Sequence, residues 1–104
     1  MVSNDTFRQI ALSFPDMAEM PHFEVTSFRI KKKIVASLDE GKARACLKFT
    51  PEAQQEFAAM DKAIYPVPNK WGTTGWTFVE LATVREELLY EALEVAYRTV
   101  VGKV

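Results

Sequence analysis

The sequence holds a single cysteine and a single histidine. Cys46 alone excludes an internal disulfide, and with only His22 beside it there is nothing resembling a Cys/His metal cluster. A reducing cytoplasm is therefore the expected compartment, with no metal and no cofactor. Long apolar runs are missing too: no stretch approaches the roughly 18 residues of a membrane-spanning helix, and the opening MVSNDTFRQI lacks the basic start and apolar core of a secretion signal. Charge of one sign is also absent. The formal net charge is -1, so global electrostatics would not draw the chain onto a polyanion, and any such partner must be held by a local patch. Glycine is scarce, and two of the four glycines fall in one nine-residue stretch, Asn69 to Thr77 (NKWGTTGWT), with both tryptophans. That stretch has no following helix and no lysine-hydroxyl pair, so it is not a phosphate loop.

At 104 residues and 48% apolar content, the chain suits one domain with one core, spanning residues 1–104. Ser3 or Asn4 caps a first helix in which Phe7, Ile10, Ala11 and Phe14 recur at helical spacing until Pro15 stops it. The segment Pro15 to Pro21, bounded by two prolines, reads as an ordered loop. From His22 to Phe49 the period changes to two: Thr26, Phe28 and Ile30, then Ile34, Ala36 and Leu38, then Ala45, Leu47 and Phe49. These are three half-buried strands of an antiparallel meander, turning at Lys31-Lys32-Lys33 and at Asp39-Glu40-Gly41-Lys42.

Thr50-Pro51-Glu52 is a helix start: a hydroxyl cap, proline at the first helical position and an acid near the positive end of the dipole. This helix should reach about Asp61, burying Ala53, Phe57 and Met60. Ile64 to Pro68 must be extended, as an edge or rim segment, because of its two prolines. Trp76 to Leu81 has last-strand composition. From Thr83 onward Leu88, Leu89, Ala92, Leu93, Ala96, Tyr97 and Val100 draw the stripe of a long amphipathic helix ending near Gly102. The fold class is α+β, a two-layer sandwich in the order α-β-β-β-α-β-β-α, with helices on one face of an antiparallel sheet.

Catalytic constellations are sparse, and a non-enzymatic protein is expected. Nothing places His22 beside Cys46, and Asp39-Glu40 sits in a turn. Charge placement is more informative. Residues 29 to 48 hold seven cations against two acids, a local +5, leaving -6 elsewhere. Strand alternation would put Arg29, Lys31, Lys33, Arg44 and Lys48 on the face opposite Phe28, Ile34 and Leu47. Such a face can contact phosphates, with an aromatic beside it to stack on a base. Lys70 extends the patch, and Trp71 or His22 stacks or steers. His22 is alternatively a structural residue that ties its loop to Glu19, and Trp71 and Trp76 are alternatively packing residues.

An ordered series of residues resembles the MmcQ/YjbR family of small bacterial proteins. It comprises Leu12-Ser13-Phe14-Pro15, Glu19-Met20-Pro21-His22-Phe23, Ser27-Phe28-Arg29-Ile30, Lys33 to Leu38, and Leu47-Lys48-Phe49. It continues through Tyr65-Pro66-Val67-Pro68, Asn69-Lys70-Trp71-Gly72 and Gly75-Trp76-Thr77, and closes with Ala96-Tyr97. The resemblance implies a fold similar to type III secretion chaperones and, by likeness to a double-wing arrangement, DNA binding without enzymatic activity. Two other readings follow from the same residues. One is a protein-interaction module or homodimer using the open sheet face or the last helix. The other is a binder of a small anionic ligand between Arg29, His22 and the Trp71 loop.

Overall fold

The computed structural model describes residues 1–102. Helix α1 (Asn4–Leu12) starts where Ser3 Oγ accepts a bond from Thr6 N–H at 3.0 Å. It leads into β1 (Met17–His22), β2 (Val25–Ile30), β3 (Lys33–Asp39) and β4 (Arg44–Lys48). Helix α2 (Pro51–Met60) follows, opened by Thr50 Oγ1 accepting from Ala53 N–H at 3.1 Å. Then come β5 (Ile64–Pro66), the single turn α3 (Lys70–Thr73), β6 (Trp76–Glu80) and α4 (Glu86–Val101). All six strands pair antiparallel in one sheet of order β1-β2-β3-β4-β6-β5.

The α+β class is as expected, but the sheet has one strand more than the sequence pattern shows. Met17–His22, expected as part of a loop, forms the outer strand β1 against β2. Pro15 and Asp16 occupy the centre of a turn closed by Met17 N–H donating to Phe14 O at 3.2 Å, with Asp16 at φ 66. Proline second and a left-handed residue third is the chemistry of a tight reversal, so the proline that stops α1 also launches the strand. Pro21 is tolerated because β1 is an edge, where one side of the strand has no ladder to lose.

Register lines the core with two rows of side chains across the sheet. One runs Phe28, Ala36, Leu47, Thr77; the other runs Thr26, Leu38, Ala45, Val79, Ile64. On this layer α4 buries Leu88, Leu89, Ala92, Leu93, Ala96 and Val100, while α1 buries only Phe7 and Ala11. At about 1.5–3 kcal/mol per buried large aliphatic side chain, α4 contributes the greater part of the helical layer. Phe7 meets Phe28 edge to face at 5.5 Å, and Phe14 stacks on Tyr97 at 5.0 Å. Arg8 holds α1 to β1 through Glu19 at 3.0 Å and to the β3-β4 turn through Glu40 at 3.3 Å.

Two expectations for buried residues fail. Met60 is exposed, and α2 instead buries Gln54. Its Nε2 lies within bonding distance of Gly72 O at 2.9 Å, and of Trp76 O and Thr77 Oγ1 at 3.1 Å each. A buried amide with such partners is stable where an unpaired one would not be. Ile34 is half-buried rather than part of the core, for a reason that matters to the site.

Candidate functional site

The face opposite the core carries the row Met20, Ser27, Ser37, Cys46, Phe78, Tyr65, one residue from each strand. It is less cationic than simple alternation suggests. Arg44 is paired across strands with Asp39 on one side and Glu80 on the other. Its guanidinium lies 3.9 Å over the Phe78 ring, a contact that holds the cation flat on the sheet. Beside it Tyr65 Oη donates to the Glu80 carboxylate, and that bond raises the phenol above its ordinary range.

Arg29 is held down in a similar way. Its Nε donates to Ser27 Oγ at 2.9 Å, and its Nη2 lies 3.2 Å from His22 Nδ1. His22 therefore pairs with Arg29 and not with Glu19, whose carboxylate faces Arg8. The imidazole in turn meets the Phe23 ring edge to face at 4.9 Å.

The lysines collect elsewhere. Phe28 pairs with Ala36, but the next residue, Arg29, pairs with Ile34, so Val35 is skipped. A bulge of this kind breaks strict alternation, and the direction expected for Lys33 and Ile34 does not carry through it. Lys31 and Lys32 form the turn between Ile30 and Lys33, with Lys31 at φ 56, and all three lysines are exposed. At this same end of the sheet β4 finishes at Lys48, opposite Trp76. Lys48 Nζ sits 5.3 Å over the Trp76 ring and donates to Thr74 O at 2.8 Å, which ties β4 to the end of α3. Lys70 and Trp71 open α3, four and three residues before Thr74, and Trp71 is 57% exposed.

Lys31, Lys33, Lys48, Lys70 and Trp71 are thus brought to one end of the sheet, together with Lys32 and Trp76. Arg44 lies at the other end with Asp39 and Glu80, and His22 pairs with Val25 near that far end. Between the lysine turn, Lys48 and the last turn of α4 is a cavity of about 350 Å³, lined by Lys32, Lys33, Ile34, Lys48, Trp76, Thr99 and Val100. Strict alternation assigns Lys32 to the face opposite Lys31 and Lys33, and a strand start such as Trp76 is usually a packing position, so neither stands out in the sequence. Nor does Phe23, which is 95% exposed at φ 59 in a two-residue hairpin.

The stretch NKWGTTGWT is closely tied by its own hydrogen bonds. Asn69 Oδ1 accepts from Trp71 N–H at 2.9 Å and starts α3. Gly72 lies so near Val67 that a Cβ there would be 1.9 Å from the carbonyl oxygen. Gly75 adopts φ +111, a conformation that glycine tolerates best. Gly75 thus serves turn geometry and Trp76 starts β6, as expected, whereas Gly72 sits within α3 and is required by its close approach to Val67, not by a left-handed φ.

Cys46 is half-buried on the sheet, and burial pushes its thiol up to about 11 despite Arg44 nearby. A thiol held protonated is a poor nucleophile. Among the described residues no group of three His, Cys, Asp or Glu could hold a metal ion, and no helix is long and apolar enough to cross a membrane.

Comparison with known proteins supports the same architecture. The family model described as YjbR matches residues 12–99. A crystal structure of a Deinococcus radiodurans protein of domain family DUF419 superposes with TM-score 0.84 at 29% identity, covering 99% of this chain and 81% of that one. A Pseudomonas syringae protein superposes with TM-score 0.72 at 16% identity, covering 94% of this chain and 98% of that one, a likeness of fold. No curated protein matches.

Proposed function

The chain belongs to the YjbR family, and we propose that it is a non-enzymatic, cytoplasmic nucleic-acid-binding protein whose contact surface is the lysine end of the sheet. The observation that supports this is the placement of Lys31, Lys32, Lys33, Lys48 and Lys70 at the end of the sheet where β6 begins at Trp76, away from the Asp39-Arg44-Glu80 end. A lysine that neutralises a phosphate releases condensed counterions, so a local patch can bind a polyanion although the whole chain is at -1. Arg29 and Arg44 are held by side chains of the sheet face, and Lys48 by Thr74 O and the Trp76 ring, so these three play a supporting part to Lys31, Lys32, Lys33 and Lys70. The lysine turn is exposed and projects from the sheet, which suits approach to a phosphate chain.

The test is an anisotropy titration of labelled DNA and RNA between low and moderate salt. Affinity should fall steeply with salt, by a log-log slope of about 0.7 to 0.9 per phosphate contact. Replacing Lys31, Lys32 and Lys33 together by glutamate should abolish binding, while Arg44→Gln should change it less than about twofold. No binding at low salt, or binding indifferent to salt, ends this reading.

A second surface favours a protein partner. Ile10 and Tyr90 line a groove with Glu86, Glu87 and Glu91, and Tyr90 and Leu12 are exposed large hydrophobic residues. Acid beside exposed apolar area suits a basic, apolar segment of another chain. Mass measurement in solution together with capture of one stoichiometric partner would favour this surface over the lysine end.

A further inference from the structure

We infer that the cavity at the lysine end receives one unpaired nucleotide, so that the partner is a single strand and not a duplex; this rests on the lysine-end reading above. The cavity is about 350 Å³, at the small end of ligand sites, the scale of one nucleotide and not of an extended chain. Its chemistry is divided. Ile34, Val100 and the Trp76 indole supply apolar and aromatic wall, and Lys32 and Lys33 supply charge beside Lys48, which already donates to Thr74 O; among the described residues no carboxylate lines it. A flat ring that carries phosphate satisfies both parts at once. A carboxylate amphiphile would use one cation and need a longer apolar channel.

The surroundings point the same way. Trp71 stands five positions before Trp76, and the Lys48 bond to Thr74 O braces the short connection between them. One indole lines the cavity, and the other, 57% exposed, offers a second stacking surface beside Lys70 for the neighbouring base. Stacking of a base on an aromatic is a main source of affinity in single-strand binding proteins and tolerates any base, since every base has a π-face. In a duplex the bases are inside the stack, and extracting one means breaking its pairing and stacking. A site that takes one unstacked base is thus open to a single strand and costly for a duplex.

Three probes at one salt concentration separate the possibilities: an oligothymidylate, a duplex of the same length, and inorganic polyphosphate. The single strand should bind about tenfold tighter than either of the others and quench tryptophan emission. Filling the cavity by Thr99→Phe or Ile34→Phe should bring the three affinities within about twofold while the salt slope stays unchanged. Melting curves establish that each variant is folded. Should neither fold, AMP titrated against pyrophosphate on the native protein decides the matter: AMP should displace the single strand at concentrations where pyrophosphate does not. Duplex or polyphosphate binding as tight as the single strand, or unaltered preference in a folded filled variant, overturns the nucleotide site and leaves the lysine-end reading standing. No binding to any of the three overturns both.

Discussion

Gly75 lies directly against the backbone of Phe49. A Cβ at position 75 would stand 1.8 Å from the Phe49 carbonyl oxygen, while Phe49 N–H donates back to Gly75 O at 3.1 Å. With φ at +111, alanine would add backbone strain to an overlap that only main-chain movement can relieve. Each effect costs about 1–3 kcal/mol, so Gly75→Ala should lower unfolding free energy by about 3 kcal/mol or more in urea titration. Gly41 is the control. Its added Cβ meets only Asp39 Oδ1 at 3.6 Å, and Gly41→Ala should lie within about 0.5 kcal/mol of the parent. Equal losses at the two positions would show that the close approach at Gly75 is unimportant.

Cys46 carries a pH dependence whose sign follows from its surroundings. Burial raises the folded thiol from 9.0 to about 11, so between those values the unfolded chain loses its proton while the folded chain keeps it. Stability attached to this group is complete below about pH 9 and is lost as pH rises toward 11. In Cys46→Ala the fall in stability between pH 8.5 and 11 should be smaller by about 1–3 kcal/mol. Iodoacetamide should modify the native thiol with a midpoint near 11, and at pH 8 about a hundredfold more slowly than in urea. A midpoint near 8.5 in the native protein would contradict the assignment.

The order of elements was readable wherever the chemistry was local. Thr50-Pro51-Glu52 announces α2 through a cap, a fixed φ and a dipole, all within three residues. The stripe from Leu88 to Val100 announces α4 by its period. What failed depends on partners distant in sequence. β1 has no clean period, since four consecutive residues from Ala18 to Pro21 are exposed, and only its place at the edge of the sheet beside β2 makes Pro21 acceptable. Arg44 looks like one of a row of free cations until register sets Glu80 beside it. The Val35 bulge redirects Lys33 and Ile34, and no composition rule locates it. The site residues were therefore visible as types, while their grouping at one end required the sheet.

Phe23 shows a residue held against its own preference. It is a bulky aromatic at φ 59, 95% exposed, in a hairpin where glycine or asparagine would be more comfortable. Phe23→Gly should therefore raise stability, by about 1 kcal/mol, in thermal or urea unfolding. A loss instead would mean that the contact of its ring with His22 at 4.9 Å outweighs the strain. A gain would mark an exposed ring kept for a reason other than folding, and the same variant in the binding panel shows whether that reason is the nucleic acid.

Trp71 and Trp76 should separate cleanly, since they share a loop but not an environment. Trp71 is 57% exposed on α3, so Trp71→Ala should cost less than about 1 kcal/mol. Trp76 is half-buried at the start of β6 under the Lys48 ammonium, and Trp76→Ala should cost about 2 kcal/mol or more, below the 3–5 of a full core site. Emission from the Trp76→Phe protein, which reports Trp71, should be red-shifted and strongly quenched by acrylamide. Emission from Trp71→Phe should be bluer and better shielded. If the two single-tryptophan proteins are quenched alike, Trp71 is packed, and the stacking surface assigned to it beside Lys70 is lost. If they differ as stated, a single strand should quench both, because one indole lines the cavity and the other meets the next base.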